Sequence, residues 1–260
     1  MLRSLETAAT GMVAQQKNLD TIANNLANVN TTAFKQLRAE FQDLMYDTLE
    51  ASDAATGQSG PTTTQIGLGT KFNSTSASFT QGSLQSTGNP LDLAINGDGF
   101  FAVLLPDGTR AFTRDGSFRV DANGQVVNSD GYPLEPAITI PSGATALNIA
   151  ADGTVTAKVP GNDDPQVLGQ ITIVTFTNPA GLLRMGQNLY LRSGGSGDPQ
   201  DVTPGAEGSG TLQQRFLEAS NVQVVEEMVR MITAQRAYEI NSKAIQASDQ
   251  MLQVVNQLVR

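Results

Sequence analysis

The last stretch of the chain, VQVVEEMVRMITAQRAYEINSKAIQASDQMLQVVNQLVR (residues 222–260), contains neither Gly nor Pro. Its apolar side chains recur at helical spacing along two neighbouring stripes. The first stripe consists of Val224, Met228, Met231, Tyr238, Ile245, Leu252 and Val259, and the second of Ala237, Ile240, Ala244, Ala247, Met251, Val254 and Leu258. A helix of this length with two apolar faces is typical of a coiled coil or of multi-helix packing.

The first residues of the chain predict a second helix with one apolar face. Side chains that fit such a face follow one another at intervals of three and four residues: Leu2, Leu5, Ala9, Met12, Gln16, Leu19, Ala23 and Leu26. Ile22 and Val29 widen this stripe. The helix is predicted to end within NVNTT (residues 28–32), where Asn30 is expected to adopt the left-handed conformation that closes a helix.

These two one-sided helices are most simply explained if they pack on each other and on neighbouring copies of the chain. Gln16, Gln235 and Ser242 interrupt the apolar stripes, which favours packing that specifies one register. The alternative, in which the helices complete a single intramolecular bundle, stays open from the sequence alone.

Between the helices the pattern changes to the period of β-strands. Short apolar runs, namely GFFAVLL, TRAFT, SFRV, GQVV, AITI, TVTAKV and ITIVTF, are predicted to be strands. Turn sequences separate them: NGDG (96–99), PDG (106–108), RDG (114–116), DANG (121–124), SDG (129–131) and ADG (151–153). This spacing predicts consecutive β-hairpins, and therefore an antiparallel β-domain over residues 91–192.

The remaining stretches are polar. Residues 51–90 are rich in Ser, Thr, Gly and Gln, and residues 193–210 are rich in Gly and Ser. The predicted order is therefore an N-terminal helix of a self-assembly domain (1–43), an extended arm (44–90), the β-domain (91–192), a return linker (193–210) and the C-terminal helix of the self-assembly domain (211–260). The predicted fold class is α+β, with two coiled-coil-type helices packed together and the β-domain inserted between them.

The charge distribution excludes several partners. The formal net charge is −9, and residues 1–43 and 211–260 each carry equal numbers of acidic and basic side chains, so the acidic excess lies in the middle. Nucleic acid and anionic membranes attract clustered Lys and Arg, and the chain has no such cluster. No apolar run approaches a membrane span, and the opening MLRSLETAATGMVAQQ lacks the apolar core of a secretory signal.

The residue types present exclude most catalytic sites. The chain has no Cys and no His, so thiol catalysis, imidazole catalysis and the common zinc sites are excluded. Asp163–Asp164 and Glu226–Glu227 are acid pairs of the kind that glycosidases use, but we interpret them as a loop and a solvated helix face. A calcium loop counted from Asp121 has Val126 where glycine is required. We expect no catalytic residue, no metal and no cofactor, and a protein that is not an enzyme.

Four segments carry a further signal: ANNLANVNTTAFK (23–35), LDLAINGDGFFAV (91–103), TRDGSFRVDANGQVV (113–127) and SNVQVVEEMVRMITAQRAYEINSKAIQASDQML (220–252). Together, and in this order, they resemble the rod and hook axial proteins of the bacterial flagellum. The opening of the chain and FQDLMYDTL (41–49) look most like the distal rod members. Ala33 stands where many relatives have Gly, so its backbone is expected to avoid the left-handed region.

The resemblance implies a structural subunit that polymerises into a rigid tube, with the terminal helices in the inner wall and the β-domain outside. The implied self-assembly interface is Leu2, Leu5, Met12, Leu19, Ile22, Leu26, Val224, Met228, Met231, Ile232, Tyr238, Ile245, Leu252 and Val259. The positions that match the family motifs are Asn24, Asn25, Asn28, Asn30, Phe34, Lys35, Asn96, Gly97, Gly99, Phe100, Ser220, Asn221, Val222, Gln235, Arg236 and Tyr238.

The partners implied by the resemblance are further copies of the chain, the proximal rod and hook proteins, the surrounding basal-body rings and the flagellar export apparatus. Neither nucleic acid binding nor membrane insertion is expected. The implied location is the rod of the basal body, which spans the periplasm, reached by flagellar export without a cleaved signal peptide. A hook or proximal rod paralogue, a secreted β-domain adhesin or binding module, and a cell-wall-degrading enzyme are the alternatives.

Overall fold

The computed structural model describes residues 2–50, 64–144, 146–159, 164–206 and 208–258. The chain divides into two compact units. Unit 1 comprises Met1–Ala27, Leu37–Ala77 and Gln223–Arg260, and unit 2 comprises Asn28–Gln36 and Ser78–Val222. The chain therefore passes between the units four times, after residues 27, 36, 77 and 222.

Unit 1 contains both helices. Helix α1 spans Leu2–Ala27 and helix α2 spans Val224–Leu258, and the two pack against each other. In its described residues the unit also contains four strands: β1 (Leu37–Asp43), β2 (Tyr46–Glu50), β3 (Thr64–Gly67) and β4 (Thr70–Ala77). They form two antiparallel pairs, β1 with β4 and β2 with β3, and both β1 and β4 contact α1. The predicted packing of the two terminal helices on each other is confirmed.

Residues 37–43, which the sequence assigned to the N-terminal helical segment, form strand β1. Half-buried Leu37 and Ala39 alternate there with exposed Arg38 and Glu40. This period of two is that of a strand, and it sets Leu37 opposite Ala77 of β4. The predicted arm, residues 44–90, contributes strands β2 to β4 and a further strand of unit 2 at Leu84–Ser86, while residues 51–63 of that prediction lie outside the described residues.

Unit 2 is built from short antiparallel strands. They are β5 (Leu84–Ser86), β6 (Leu93–Asn96), β7 (Phe101–Leu104), β8 (Arg110–Thr113), β9 (Arg119–Val120), β10 (Val126–Val127), β11 (Leu134–Glu135), β12 (Ala146–Ile149), β13 (Thr154–Lys158), β14 (Gln166–Gln170), β15 (Ile173–Thr175), β16 (Leu183–Gly186), β17 (Leu189–Leu191), β18 (Gln200–Val202), β19 (Thr211–Gln214) and β20 (Phe216–Glu218). The main sheet has the order β11-β7-β8-β17-β16, and β12-β13-β14 form a second sheet. The described architecture is α+β, as predicted.

Alternation along β7 divides the core of unit 2 into clusters. Phe101 packs edge-on against Phe118, with ring centroids 5.1 Å apart, in the largest cluster. Its neighbour Ala102 points to the opposite face and lies with Phe112 and Tyr190. Because successive strand residues point to opposite faces, one short strand contributes to two buried layers.

Four of the six predicted turn sequences reverse the chain between antiparallel partners. PDG joins β7 to β8, DANG joins β9 to β10 and ADG joins β12 to β13. SDG lies between Val127 and Pro133, which form an antiparallel bridge. By contrast, NGDG and RDG do not join such partners, since β6 pairs with β19 and β8 pairs with β7 and β17. A Cβ at Gly99 would overlap Ile173, and one at Gly116 would overlap the carbonyl of Leu93. These glycines permit close backbone approach and do not reverse the chain.

Two further sequence assignments need correction in unit 2. Residues 137–140 (AITI) do not form a regular strand, but Thr139 forms an isolated antiparallel bridge with Gln125, and the Ile140 N–H donates to the Gly124 carbonyl at 2.7 Å. Pro136 and Pro141 on either side cannot donate to a ladder, which keeps this pairing short. Residues 211–218, assigned to the C-terminal helical segment, form β19 and β20, which pair with β6 and β5. Helix α2 begins only at Val224.

Candidate functional site

The seam between α1 and α2 is made of small and polar residues. Ser4 Oγ lies 3.5 Å from Ser248 Oγ, and a Cβ placed on Gly11 would come within 2.9 Å of Asn241 Nδ2. Near the other end of α1, Asn25 contacts Glu227. These three contacts fix an antiparallel register between the helices. On each helix, neighbouring contact residues are 7 or 14 positions apart, which is one or two heptads. Ala234, one heptad from both Glu227 and Asn241, is also buried.

Asn25 and Glu227 form the most polar part of this seam. Asn25 Nδ2 donates to the Leu37 carbonyl (2.8 Å) and to Glu227 Oε2 (3.2 Å), while Asn25 Oδ1 accepts the Leu37 N–H (2.8 Å). Arg230 Nη1 donates to the other oxygen of Glu227 at 3.1 Å. Glu227 is fully buried, so this hydrogen-bonded arrangement replaces the water that its carboxylate would otherwise need.

The apolar residues of α2 lie largely outside the seam. Val225 is 76% exposed and Ile240 is 66% exposed. Among the α2 side chains that the structure describes, the following large apolar ones are also exposed: Val224, Met228, Val229, Ile232, Tyr238, Met251, Val254 and Val255. We call these ten residues the α2 apolar face. Exposed apolar side chains in this number on one helix are typical of an interaction surface.

The predicted interface residues fall into three groups. Val224, Met228, Ile232 and Tyr238 belong to the α2 apolar face, and Ile22 is buried in unit 1. Half-buried are Leu5, Met12, Leu19, Leu26, Met231, Ile245 and Leu252. Val259 lies outside the described residues, as does the side chain of Leu2. Gln16 and Gln235, expected to specify register within the stripes, are exposed; Asn25, Glu227 and Asn241 hold the polar seam positions instead.

In unit 2, the segment after α1 is held by the strand that precedes α2. Lys35 is fully buried, and its Nζ donates to Glu218 Oε1 at 2.6 Å and to the Thr80 carbonyl at 2.9 Å. Burial lowers the pKa of Lys35, and the neighbouring Glu218 charge opposes that shift. Glu218 also accepts the Gly82 N–H at 2.9 Å.

The expectation about Ala33 is wrong. Ala33 adopts the left-handed conformation with φ 57°, whereas Asn30 does not have a positive φ. The reason is tertiary: the Ala33 N–H donates to the Glu218 carbonyl at 2.8 Å, and the Phe34 N–H donates back to Thr31. This left-handed residue directs the chain into the interior of unit 2, where Phe34 and Lys35 are buried.

The other motif residues have several structural roles. Asn221 forms hydrogen bonds with Gln36, Ser78 and Thr80, and Asn28 Oδ1 accepts a hydrogen bond from the Thr31 hydroxyl. Gly97 and Gly99 both have positive φ, and Phe100 stacks edge-on with Phe79 and Phe176. Gln235 and Arg236 are exposed on α2.

Sequence reasoning missed Glu218 and Asn241, and it wrongly placed Glu227 on a solvated helix face although that side chain is fully buried. A signal for the last two was present, because Glu227, Ala234, Asn241 and Ser248 recur every seven residues opposite Ser4, Gly11 and Asn25. Glu218 had no comparable signal, since its partner Lys35 lies far away in the sequence.

Within the described ranges, no three Asp or Glu side chains gather in a way that would hold a metal ion. Neither described helix combines the length and apolarity needed to cross a membrane.

Three family models match the chain. Residues 5–35 match "Flagella basal body rod protein", residues 94–157 match "Flagellar hook protein FlgE/F/G D1 domain", and residues 213–258 match "Flagellar basal body rod FlgEFG protein C-terminal".

Similar whole proteins carry the same kind of name. The flagellar basal-body rod protein FlgG of Borreliella burgdorferi is 52% identical over 100% of both chains. FlgG of Caulobacter vibrioides is 47% identical over 99% of both, and FlgG of Bacillus subtilis is 43% identical over 100% of both. The chain therefore belongs to the family of flagellar basal-body rod proteins.

Proposed function

We propose that this chain is a distal rod subunit that polymerises through its terminal helices into a rigid helical tube, which transmits torque and forms part of the wall of the export channel. The proposal extends to the predicted interface residues and to the predicted arm, β-domain and linker, with the self-assembly helices bounded as α1 and α2. The subunit has a structural role and no catalytic one.

The α2 apolar face carries this proposal. A chain that needed its helices only for an intramolecular core would turn the apolar side of α2 toward α1, but the seam holds Asn25, Glu227 and Asn241. Burying a Val, Ile or Met side chain fully is worth roughly 1.5–3 kcal/mol. Ten exposed apolar residues therefore favour association strongly, and other copies of the chain supply equivalent faces.

Partners and location follow from this role. The ends of the tube would join the proximal rod and the hook, the basal-body rings would surround it, and subunits would arrive through the flagellar export apparatus without a cleaved signal peptide. The excess of acidic side chains in residues 44–210 would limit sideways association between tubes.

Ile232→Asp tests the assembly claim. Ile232 is exposed on α2, so the substitution leaves the fold of the single chain intact while placing a carboxylate in the proposed contact. Its burial in a polymer costs several kcal/mol at every subunit. We expect the critical concentration for polymer formation, measured by sedimentation, to rise at least about a hundredfold.

The matched control is Gln246→Glu, which also adds one negative charge to α2 at an exposed position outside the apolar face. This control should change the critical concentration less than about threefold. Normal polymerisation of Ile232→Asp, or equal loss in both variants, would contradict the proposal. Loss of strand-like circular dichroism in Ile232→Asp would place Ile232 in a folding core instead.

A further inference from the structure

Three of the four chain crossings between the units converge within unit 2. Gln36 is the last residue before one crossing, Ser78 is the first after another, and Val222 is the last before a third. The Ser78 N–H donates directly to the Gln36 carbonyl at 2.9 Å. Residues far apart in sequence therefore leave unit 2 from one place.

One side chain, that of Asn221, bonds to both of the other crossing segments. Its Oδ1 accepts the Gln36 N–H at 2.7 Å. Its Nδ2 donates to the Ser78 carbonyl at 2.9 Å and to Thr80 Oγ1 at 2.9 Å. Asn221 itself lies directly before Val222, so its own backbone belongs to the third crossing.

The buried Lys35–Glu218 pair joins the same three segments a few residues further inside unit 2. Lys35 precedes Gln36, its Nζ donates to the Thr80 carbonyl two residues after Ser78, and Glu218 lies on β20 just before Asn221. Arg184 Nη2 adds a bond to the Lys35 carbonyl at 2.7 Å. If one of these segments moved away alone, it would leave a buried charge without its partner, which is costly. We therefore expect the segments to separate together.

The chemistry at position 221 requires an amide. Gln36 presents a donor, and Ser78 and Thr80 present carbonyl acceptors, so the side chain must accept and donate at once. Only the amide side chains do both with fixed planar geometry. Aspartate would accept from Gln36 but would set a carboxylate oxygen against two carbonyls.

We propose that Asn221, together with the Lys35–Glu218 pair, is a clasp that fastens three chain crossings into one anchor, so that force arriving along any of them is shared by all three. The clasp itself stands on the geometry of unit 2. Its mechanical consequence, that a rod without it is less stiff, rests on the proposed function.

Hydrogen exchange on the full-length chain tests the clasp. In Asn221→Ala we expect the amides of Gln36 and Ser78 to exchange about tenfold faster or more. The Gln36 amide loses its acceptor, and the Ser78 amide loses the side chain that holds its segment against Gln36. Asn221→Asp should have at least the same effect. Amides of β7 and β8 in the core should keep their rates.

The matched control is Asn178→Ala, which deletes another Asn-to-backbone hydrogen bond in unit 2, to Gly195, away from any crossing. It should leave the Gln36 and Ser78 amides unchanged. Unchanged exchange at these amides in Asn221→Ala would overturn the clasp, as would equal acceleration throughout the core of unit 2.

A second measurement separates the clasp from the proposed function. Tubes assembled from Asn221→Ala should form at the wild-type critical concentration but have a shorter persistence length in electron micrographs. Tubes as stiff as wild type would overturn the shared-force part of the proposal. If the wild-type chain itself formed no tubes, the proposed function would fail, and the exchange result would still decide the clasp.

Discussion

The residues that set the register between α1 and α2 are polar or small, so most large apolar side chains of α2 lie outside the contact between the two helices. Gly11 costs helix stability relative to Ala, yet its missing side chain admits Asn241. Asn25 satisfies the Leu37 backbone and Glu227 together. Such polar seam positions specify one pairing at the expense of stability. The apolar side chains of α2 are thereby left for other contacts.

Ala33→Gly should cost unit 2 less than an ordinary buried Ala→Gly change does. Relief of the left-handed conformation is worth roughly 1–2 kcal/mol, and it offsets both the loss of the buried methyl group and the unfolded-state entropy that glycine brings. We expect the free energy of unfolding, measured by urea denaturation, to change by less than about 1 kcal/mol. Ala111→Gly, at a buried strand position without positive φ, should instead destabilise by about 1–2 kcal/mol. A loss of stability in Ala33→Gly as large as that in Ala111→Gly would show that the left-handed conformation of Ala33 carries no strain.

Single residues also show where sequence reasoning ends. Apolar periodicity predicted which side chains of α2 need burial, but it does not say whether the cover is α1 or another molecule. Ala33 was misjudged because a distant carbonyl, that of Glu218, imposes its conformation. The motif residues Lys35 and Asn221 were found by resemblance, whereas their bonding to each other's segments depends on tertiary structure.

At the scale of elements, the long helices and the tight hairpins were predictable, because their signals are local. The pairing of β6 with β19 was not, since the NGDG sequence before β7 looks like a hairpin turn. Its glycines serve the close approach of Gly99 to Ile173, which is a long-range contact. Strand order in unit 2 depends on such contacts.

The predicted arm includes residues 51–63, which lie between β2 and β3 in the sequence. We expect this segment to pack on a neighbouring subunit and stiffen the polymer, because it is a polar stretch that follows FQDLMYDTL, the segment most like the distal rod members. Replacing residues 51–63 with Asn-Gly closes β2 onto β3 with a favoured hairpin turn. Tubes of this variant should be more flexible or abnormal in length in electron micrographs. Straight tubes of normal length would count against the arm.

At the scale of the whole molecule, the two units differ in how they are stabilised. The described residues of unit 2 include three buried apolar clusters, while unit 1 joins its helices through a polar seam. Helices gain most of their stability from packing an apolar face. Unit 1 should therefore be the less stable unit in a dilute, unassembled chain.

Limited proteolysis of the dilute chain should remove both termini first. We expect the resistant fragment to lie within residues 78–222, where the apolar clusters are. Mass spectrometry of the fragments gives the boundaries. Termini as resistant as this fragment, at concentrations too low for polymer, would show that the helices are stable without assembly.

Methionine oxidation before and after polymerisation tests most directly whether the α2 apolar face drives assembly. Met228 and Met251 lie half-exposed on that face, and Met185, similarly exposed on β16 of unit 2, is the internal reference. We predict that Met228 and Met251 oxidise at least about tenfold more slowly in the polymer than in the dilute chain, while Met185 keeps its rate. Equal reactivity of Met228 and Met251 in both states would contradict the account.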